Sequence, residues 1–113
     1  MDNLDVGSIV LANLSIGSHP AIVLSTKEEI ADSGMVFVVA VSANTTLSLP
    51  DDLIEVPPGL GMKKKCYVQC GIVEMLSVRN VTPKNKKAYG PFLEKVIRQV
   101  RVAADRGKRS TQS

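Results

Sequence analysis

The stretch Met35–Ser42, which reads MVFVVAVS, constrains the fold more than any other part of the chain. It is continuously apolar up to Ser42 and rich in β-branched valine, a pattern typical of a strand that is buried on both faces. We therefore expect a strand at residues 35–42 in the middle of a sheet. The chain has 113 residues, enough for one globular domain. Only 4% of them are aromatic and none is tryptophan, so aliphatic side chains must fill the core.

Shorter strand signals surround this stretch. Residues 8–14 and 20–25 are β-favouring runs with a short glycine-containing turn between them, which predicts a hairpin. The polar residues 26–34 predict a turn with room for a single helical turn. Leu53–Val56 predicts a short edge strand that stops at Pro57-Pro58-Gly59.

The segment KKKCYVQCGIVEMLSVRNV, residues 63–81, predicts two strands that are broken or bulged near Gly71. The side chains of a strand alternate between its two faces. One face is expected to carry Cys66, Val68 and Cys70, and the other Tyr67 and Gln69.

The last element changes period from two to about 3.6 residues. Pro91 suits the first turn of a helix and Gly107 its end, with an i,i+4 pair of Glu94 and Arg98 on the polar side. Residues 108–113 are expected to be a disordered basic tail. Five or six short strands followed by one helix predict a mainly β fold, a small antiparallel barrel or half-barrel with a C-terminal α-helix. The apolar face of the helix is expected to comprise Phe92, Leu93, Val96, Ile97, Val100, Ala103 and Ala104.

Charge is distributed unequally along the chain. Residues 1–61 hold one basic and eight acidic residues, a net charge of −7, and residues 62–113 hold thirteen basic and three acidic residues, a net charge of +10. This asymmetry favours a polyanionic or acidic partner for the second half. Folding can also interleave the two halves into an ordinary mixed-charge surface.

The sequence carries no signal for export or for a membrane. Its first residues, MDNLDVGS, are acidic where a signal peptide is basic, and its longest apolar run is far shorter than the roughly 20 residues of a membrane span. We expect a cytoplasmic protein in which Cys66 and Cys70 are reduced. These two cysteines are interpreted as buried small hydrophobic side chains.

Several kinds of site are excluded for want of residues. One histidine and two cysteines cannot complete a tetrahedral zinc site within one chain, and no glycine-rich phosphate loop follows a strand. We expect neither a metal nor a cofactor.

His19, the single histidine, lies in the stretch SHPAIVLS. Imidazole titrates near neutral pH, so His19 is a candidate general base or acid. The alternative is an ordinary turn residue before Pro20. Ser42, at the end of the buried strand, is a candidate donor to a phosphate oxygen, although most serines at strand ends have no such role.

Lys63, Lys64 and Lys65 form a compact cationic run at a strand entrance. Together with other basic residues of the second half they are candidates to neutralise phosphates of a nucleic acid. The alternative is a solvated run that protects a sheet edge. Tyr67 and Tyr89 could each stack on one base. The other basic residues are Arg79, Lys84, Lys86 and Lys87.

Taken in order, these strands resemble the MazF/PemK family of toxin endoribonucleases over about residues 5–105. VGSIVLANL resembles the family's first strand, HPAIVLS its Arg-Pro-Ala signature, and VVAVSANTT its buried third strand. KKCYVQCGIVEMLSVRNV resembles the strand pair that precedes the terminal helix. The spacing between His19 and Ser42 agrees with that between the family's arginine and its serine or threonine.

The resemblance implies a single domain over residues 1–107 with an SH3-like barrel that forms a homodimer. It implies metal-independent cleavage of single-stranded RNA, in which the ribose 2′-hydroxyl attacks the adjacent phosphate and leaves a cyclic phosphate. It also implies a cognate antitoxin whose acidic, flexible segment fills the RNA groove.

The sequence departs from the family pattern at several positions. His19 replaces the catalytic arginine and lacks its permanent charge and its two-pronged hydrogen bonding. Gln69 and Gly71 stand where some members carry an Arg-x-Asp pair. Ser8 replaces an aspartate, and the loop that gates RNA is reduced to about residues 15–18.

Two function hypotheses follow. In the first, the chain is a toxin-type endoribonuclease in which His19 transfers a proton, Ser42 orients the phosphate, and Lys63–Lys65 hold the RNA backbone. Gln69 would contact a base or a phosphate, and Arg79 would bind RNA. In the second, the same fold is a catalytically silent module that binds RNA or an acidic antitoxin-like peptide. An unrelated small barrel, such as a structural subunit, is a third alternative.

Overall fold

The computed structural model describes the backbone of residues 3–112 and the side chains of residues 3–107. This part of the chain forms six strands and two α-helices, with short 3₁₀ turns at Pro50–Asp52 and Val78–Asn80. The strands are β1 (Ser8–Leu14), β2 (Gly17–Val23), β3 (Met35–Ser42), β4 (Leu53–Glu55), β5 (Tyr67–Ser77) and β6 (Val81–Lys87), and the helices are α1 (Lys27–Ser33) and α2 (Gly90–Gln112).

All six strands belong to one antiparallel sheet in the order β4-β5-β3-β2-β1-β6. The interior position of β3 and the edge position of β4 are confirmed. The predicted fold class, mainly β and antiparallel with a C-terminal helix, is confirmed as well. Within residues 3–112 no pairing joins β4 to β6, so the sheet is an open half-barrel rather than a closed one.

The two faces of the sheet carry two apolar layers. On one face Ile9, Ile22 and Val39 pack with Val96 of α2, which confirms the predicted apolar face of that helix around its centre. On the other face Val10 and Val38 pack with residues of α1 and of the second half of β5. β3 is therefore buried on both faces as predicted, except at Phe37, whose side chain is 49% exposed.

The β1–β2 hairpin is tighter than predicted. β2 begins at Gly17 rather than at Pro20, and the connecting turn has only two residues, Ser15 and Ile16. Gly17 has a φ of +111°, a conformation that glycine adopts at little cost. The expectation that His19 could be a turn residue is therefore wrong. His19 is the third residue of β2 and pairs with Ala12 of β1.

The segment after the cationic run is one strand with a bulge. Val39 of β3 pairs with Val73, but Ala40 pairs with Gln69, which leaves three residues around Gly71 without partners on β3. The predicted irregularity at Gly71 is confirmed. The second strand of this pair, β6, lies further along the chain than predicted. Its sequence VTPKNKK is polar because it is an exposed edge strand, and Asn85 has a φ of +57°.

Both helices are longer than predicted. Residues 27–33 form two turns, which begin at a capping box between Thr26 and Glu29 and end at Gly34 with a φ of +69°. α2 continues through Gly107 to Gln112, so its predicted end at Gly107 is wrong. The predicted disordered tail begins at residue 108, whereas the backbone of residues 108–112 is helical; Ser113 lies outside the described residues. No helix of the described part is long and apolar enough to span a membrane.

An ion pair between buried Asp52 and partly exposed Arg106 fastens α2 to the edge of the sheet. Asp52 is only 3% exposed, and its carboxylate accepts hydrogen bonds from both terminal nitrogens of Arg106, at 2.8 and 3.0 Å, and from Gln99 Nε2 at 2.9 Å. The hydrogen bonds from Arg106 lower the pKa of Asp52 below its usual value, and that from Gln99 acts in the same direction against the effect of burial. Folding is therefore favoured by the ionised form of Asp52.

The ion pair of Asp52 with Arg106 makes the free energy of unfolding depend on pH, and we expect the Asp52→Asn variant to lose this contribution. A carboxyl group whose pKa is lowered in the folded state stabilises the fold above its usual pKa of about 4, and this stabilisation is lost as the pH falls through the lower, folded value. Urea unfolding of wild type between about pH 6 and pH 2 should show a drop in the free energy of unfolding that is smaller in Asp52→Asn. Asp51→Asn, a change at the exposed neighbouring residue, is the control and should follow wild type. Equal pH dependence in Asp52→Asn and wild type would contradict this account.

Candidate functional site

A groove of about 490 Å³ opens where β2 begins and β3 ends. Its third wall is the loop of residues 57–65, which connects β4 to β5 and lies over the sheet. Four of the residues singled out from the sequence, His19, Ser42, Lys63 and Lys64, line this one groove. The other lining residues are Pro20, Val41, Ala43, Asn44, Gly61, Met62 and Cys66.

His19 and Ser42 are brought together by the pairing of β2 with β3. The last recorded pair at this end of the two strands is Ala21 with Ala40. His19 lies two residues before Ala21, and Ser42 lies two residues after Ala40. Because antiparallel partners keep a constant sum of residue numbers, extending this register by two residues matches His19 with Ser42, and both residues line the groove. The spacing between His19 and Ser42, which agrees with the family pattern, is therefore explained by the pairing of β2 with β3.

The imidazole of His19 is half-buried at the rim of the groove. Its ring lies alongside Gly17, since a Cβ placed on that glycine would be 3.8 Å from His19 Nε2. Within the described part of the chain, neither ring nitrogen forms a hydrogen bond or an ion pair with another residue. One ring nitrogen of the neutral imidazole is thus free to accept a proton from a ligand, and the other is free to donate a hydrogen bond to it.

The hydroxyl of Ser42 is fixed in place by its own loop. Asn44 N donates a hydrogen bond of 3.1 Å to Ser42 Oγ, and the side chain is 5% exposed. Because Oγ acts as the acceptor in this bond, the O–H of Ser42 remains available as a donor. The arrangement suits a hydroxyl that donates to an anionic oxygen in the groove.

A backbone hydrogen bond joins the two ends of the loop that carries the lysines. Val56 N donates a hydrogen bond of 3.0 Å to Cys66 O, so residues 57–65 leave the sheet and return to it at one point. Lys63 and Lys64 line the groove. Lys65 does not, and its Nζ lies 3.6 Å from Glu55 Oε1 in an exposed ion pair. Two of the three lysines of the run are therefore directed to the site.

Gln69 has a different place from the one expected. Its side chain is completely buried, where its Nε2 donates to the carbonyl oxygens of Asn44 at 3.0 Å and Ser42 at 3.2 Å. Its Oε1 accepts a hydrogen bond of 2.7 Å from Ser48 Oγ. These bonds hold the loop that follows β3, so Gln69 supports Ser42 from beneath. The expected direct contact of Gln69 with RNA is not open to it in this structure.

The remaining predicted residues lie apart from the groove. Arg79 is exposed in the turn between β5 and β6 and does not line it. At Gly71 a Cβ would lie 3.4 Å from Asp52 Oδ2, so this position faces the ion pair with Arg106. The two positions that match the family's Arg-x-Asp pair, 69 and 71, therefore supply no charged group to the groove.

The two cysteines are both free and buried, and they belong to one apolar cluster with Val68. This confirms their interpretation as small hydrophobic side chains. Burial, with a smaller contribution from the charge of Asp52, raises the pKa of Cys70 to about 12. The thiol of Cys70 therefore stays protonated at neutral pH.

The electrostatic environment of the groove favours anions. No aspartate or glutamate is among its described lining residues, which include two lysines. Three acidic residues of the first half, Glu28, Glu29 and Asp32, lie in or at the ends of α1, beside the start of β3. The groove lies at the other end of β3, roughly 23 Å away for seven residues of strand. Elsewhere the two halves interleave, since Asp52 pairs with Arg106 and Glu55 with Lys65.

Comparison with solved structures identifies proteins with a similar fold. A crystal structure of MazF from Deinococcus radiodurans matches 93% of this chain and 99% of its own length, with a TM-score of 0.79 and 19% sequence identity. The chain has the MazF fold. A MazE–MazF complex from the same organism matches 88% of this chain and 93% of its own, with a TM-score of 0.71 and 22% identity. A mycobacterial endoribonuclease in complex with its cognate antitoxin matches 93% and 96%, with a TM-score of 0.71 and 15% identity.

The MazF likeness confirms the resemblance that strand order and spacing indicated. At such identities it is a likeness of fold. No protein-family model matches the sequence, and no curated protein matches it. What the groove of this MazF-like chain does must therefore be argued from its own residues.

We expect Gln69→Leu to destabilise the protein by about 2–3 kcal/mol, because it leaves buried backbone carbonyls and the Ser48 hydroxyl without their partner. Ser48→Ala removes only one of these hydrogen bonds and should cost about 1 kcal/mol. Urea unfolding of the two variants and wild type measures both free energies. A cost for Gln69→Leu no larger than that for Ser48→Ala would show that this amide does not hold the loop.

Proposed function

We propose that this chain is the toxin component of a toxin–antitoxin pair and a metal-independent endoribonuclease that cleaves single-stranded RNA. The observation that carries the proposal is the convergence of an uncommitted imidazole, a fixed hydroxyl and two lysines in one groove. That groove has no carboxylate among its described residues, and it belongs to a MazF fold. A phosphodiester is the kind of ligand that such a set of groups suits.

The cleavage step can be assigned to these residues. His19 accepts the proton of the ribose 2′-hydroxyl as the 2′-oxygen forms a bond to the adjacent phosphorus. The bond from phosphorus to the 5′-oxygen breaks, and that oxygen takes a proton from water in the open groove. The products are a 2′,3′-cyclic phosphate and a 5′-hydroxyl.

Charge stabilisation in the transition state falls to the remaining groups. Ser42 donates its O–H to a non-bridging phosphate oxygen, which fixes the orientation of the phosphate. Lys63 and Lys64 offset the negative charge that develops on the phosphorane. Unlike the family's arginine, His19 cannot supply a permanent charge at this point, so the two lysines take a larger share of that role.

The second candidate is a silent module of the same fold that binds RNA or an acidic peptide. The observation in its favour is that positions 69 and 71 offer no charge to the groove, which leaves His19 as the one imidazole or carboxyl group among the described lining residues. An acidic antitoxin segment would satisfy the same lysines as RNA does. The homodimer implied by the resemblance and the cytoplasmic location expected from the sequence stay predictions, and sedimentation of the purified protein tests the first of them.

We expect purified protein to cleave mixed-sequence single-stranded RNA in the presence of a chelator and to leave 2′,3′-cyclic phosphate ends. His19→Ala should lower the rate by about 10²–10⁴-fold, the usual contribution of a general base. Ser18→Ala, at the exposed preceding residue of β2, is the matched control and should cleave like wild type. Thermal unfolding checks that both variants fold.

The outcomes separate the two candidates. Full cleavage by a folded His19→Ala variant would remove His19 from the mechanism. Binding of RNA by wild type without cleavage would favour the silent module, and a gain of cleavage in His19→Arg would then identify the histidine as the cause of the lost activity. Neither binding nor cleavage of RNA by wild type would overturn the proposed function.

A further inference from the structure

The groove at His19 does not end at the lysine loop. It shares Pro20, Gly61 and Met62 with a second cavity, of about 100 Å³, which lies over β1. This cavity shares Leu60 and Lys86 with a third, of about 480 Å³. The three cavities follow one another beneath the loop of residues 57–65. We refer to the second and third together as the extended channel.

The loop approaches β6 where the second and third cavities share their lining residues. Gly59 and Gly61 have φ angles of +93° and +87°, which let the chain turn tightly above the sheet. A Cβ placed on Gly61 would lie 3.9 Å from Lys86 Cγ, so the loop backbone approaches the side chains of β6. The loop forms one wall of the channel, and β1 and β6 form the other.

The extended channel is positively charged along its length. Lys84, Lys86 and Lys87 of β6 line it, and no aspartate or glutamate is among its described lining residues. The carboxylate of Asp5 already accepts hydrogen bonds from the backbone N–H groups of Val6 at 2.8 Å and Lys27 at 3.0 Å, which lower its pKa. Asp5 is also close enough to Lys87 for the lysine's charge to contribute to this lowered pKa. With Lys63 and Lys64 the three lysines of β6 form a row of five lysines that line the three cavities between the groove and the start of α2.

An exposed aromatic ring stands at the far end of this row. Tyr89 lines the third cavity, and it is 78% exposed, the largest exposure among the bulky hydrophobic residues that the structure describes. Its backbone is well anchored, since the preceding residue, Ala88, is buried and its N–H donates to Gly7 O at 2.8 Å. α2 begins at the following residue. A solvent-facing ring next to an anchored backbone in a cationic channel suits stacking on a nucleobase.

The register of the sheet sets the length of the channel. His19 pairs with Ala12, and Lys87 pairs with Ser8, so the two ends lie four residues apart along β1 and two strands apart across the sheet. With about 3.3 Å per residue and 4.8 Å per strand, the separation is roughly 16 Å. A few nucleotides of extended RNA fit this distance.

We propose that single-stranded RNA runs from the cleavage groove along the extended channel, with its phosphates on Lys84, Lys86 and Lys87 and one base stacked on Tyr89. This inference rests on the proposed function and names the part of the substrate that lies beyond the scissile phosphate. RNA is favoured over an acidic peptide because every nucleotide carries a planar base beside its phosphate, whereas the anionic residues of an acidic peptide carry no ring that could stack on Tyr89. A strand of RNA supplies both the repeated anion and the planar base.

The test uses RNA that carries 2′-O-methyl groups and cannot be cleaved, so binding is measured apart from chemistry. We expect a decanucleotide to bind wild type more tightly than a trinucleotide does. Tyr89→Ala should weaken the decanucleotide about 10-fold, within the range reported by alanine substitution of stacking residues, and should leave the trinucleotide unaffected. Tyr89→Phe should bind like wild type, and Phe37→Ala, which removes an exposed ring outside the channel, is the matched control.

The lysines are tested by the salt dependence of the same binding. Replacing both Lys86 and Lys87 by glutamine should reduce the slope of log K against log salt by roughly 1.4 for the decanucleotide. Lys95→Gln, a change on the exposed surface of α2 outside the channel, should leave the slope unchanged. Decanucleotide binding that is unaffected by Tyr89→Ala and by the double glutamine variant would overturn the inference while leaving the proposed function intact. Failure of wild type to bind either RNA would overturn both, and binding of an acidic peptide instead would assign the channel to that peptide.

Discussion

The antiparallel register between β2 and β3 is the constraint on which the site depends. Ile22 and Val39 are partners in that register and lie at the centre of the core. A slip of one residue would turn the apolar side chains of β2 from one face of the sheet to the other. The same slip would separate His19 from Ser42. Burial of the core therefore fixes the geometry of the groove, although neither His19 nor Ser42 belongs to an apolar cluster.

Two loops outside the sheet complete the groove, and each is held in place by hydrogen bonds. The buried amide of Gln69 holds the loop that follows β3, and with it the carbonyl and position of Ser42. The hydrogen bond between Val56 N and Cys66 O closes the lysine loop, so Lys63 and Lys64 are presented over the sheet. The groove is thus made of a rigid strand pair and two fastened loops. Such a site brings its groups together before the ligand arrives, which limits the cost of ordering them on binding.

The sequence predicts the core of this architecture well because burial leaves a clear periodic pattern. The apolar run at residues 35–42 indicated a central strand, and the helical period after Pro91 indicated the helix that covers one face. The spacing of His19 and Ser42 also indicated a shared site. In contrast β6, with the sequence VTPKNKK, has no apolar alternation, because an exposed edge strand needs none. Because the sequence did not place β6 correctly, the length of the channel along this strand could not be inferred from it.

Gln69 shows a second limit of sequence reasoning. Alternation along β5 correctly separated Gln69 from Cys70, but it could not show that a loop covers the polar face at that point. A glutamine that is exposed to a ligand and one that is buried with its hydrogen bonds satisfied produce the same local pattern. The difference depends on the course of residues 43–48, which carry no strong periodic signal.

The central claim is that single-stranded RNA binds in the groove with a phosphate between His19 and Ser42. A crystal structure of the protein with a 2′-O-methyl RNA decanucleotide tests this claim most directly. The account predicts a phosphate oxygen within hydrogen-bond distance of Ser42 Oγ and the substituted 2′-oxygen beside the imidazole of His19. RNA bound on another face of the sheet, with this groove left unoccupied, would contradict it.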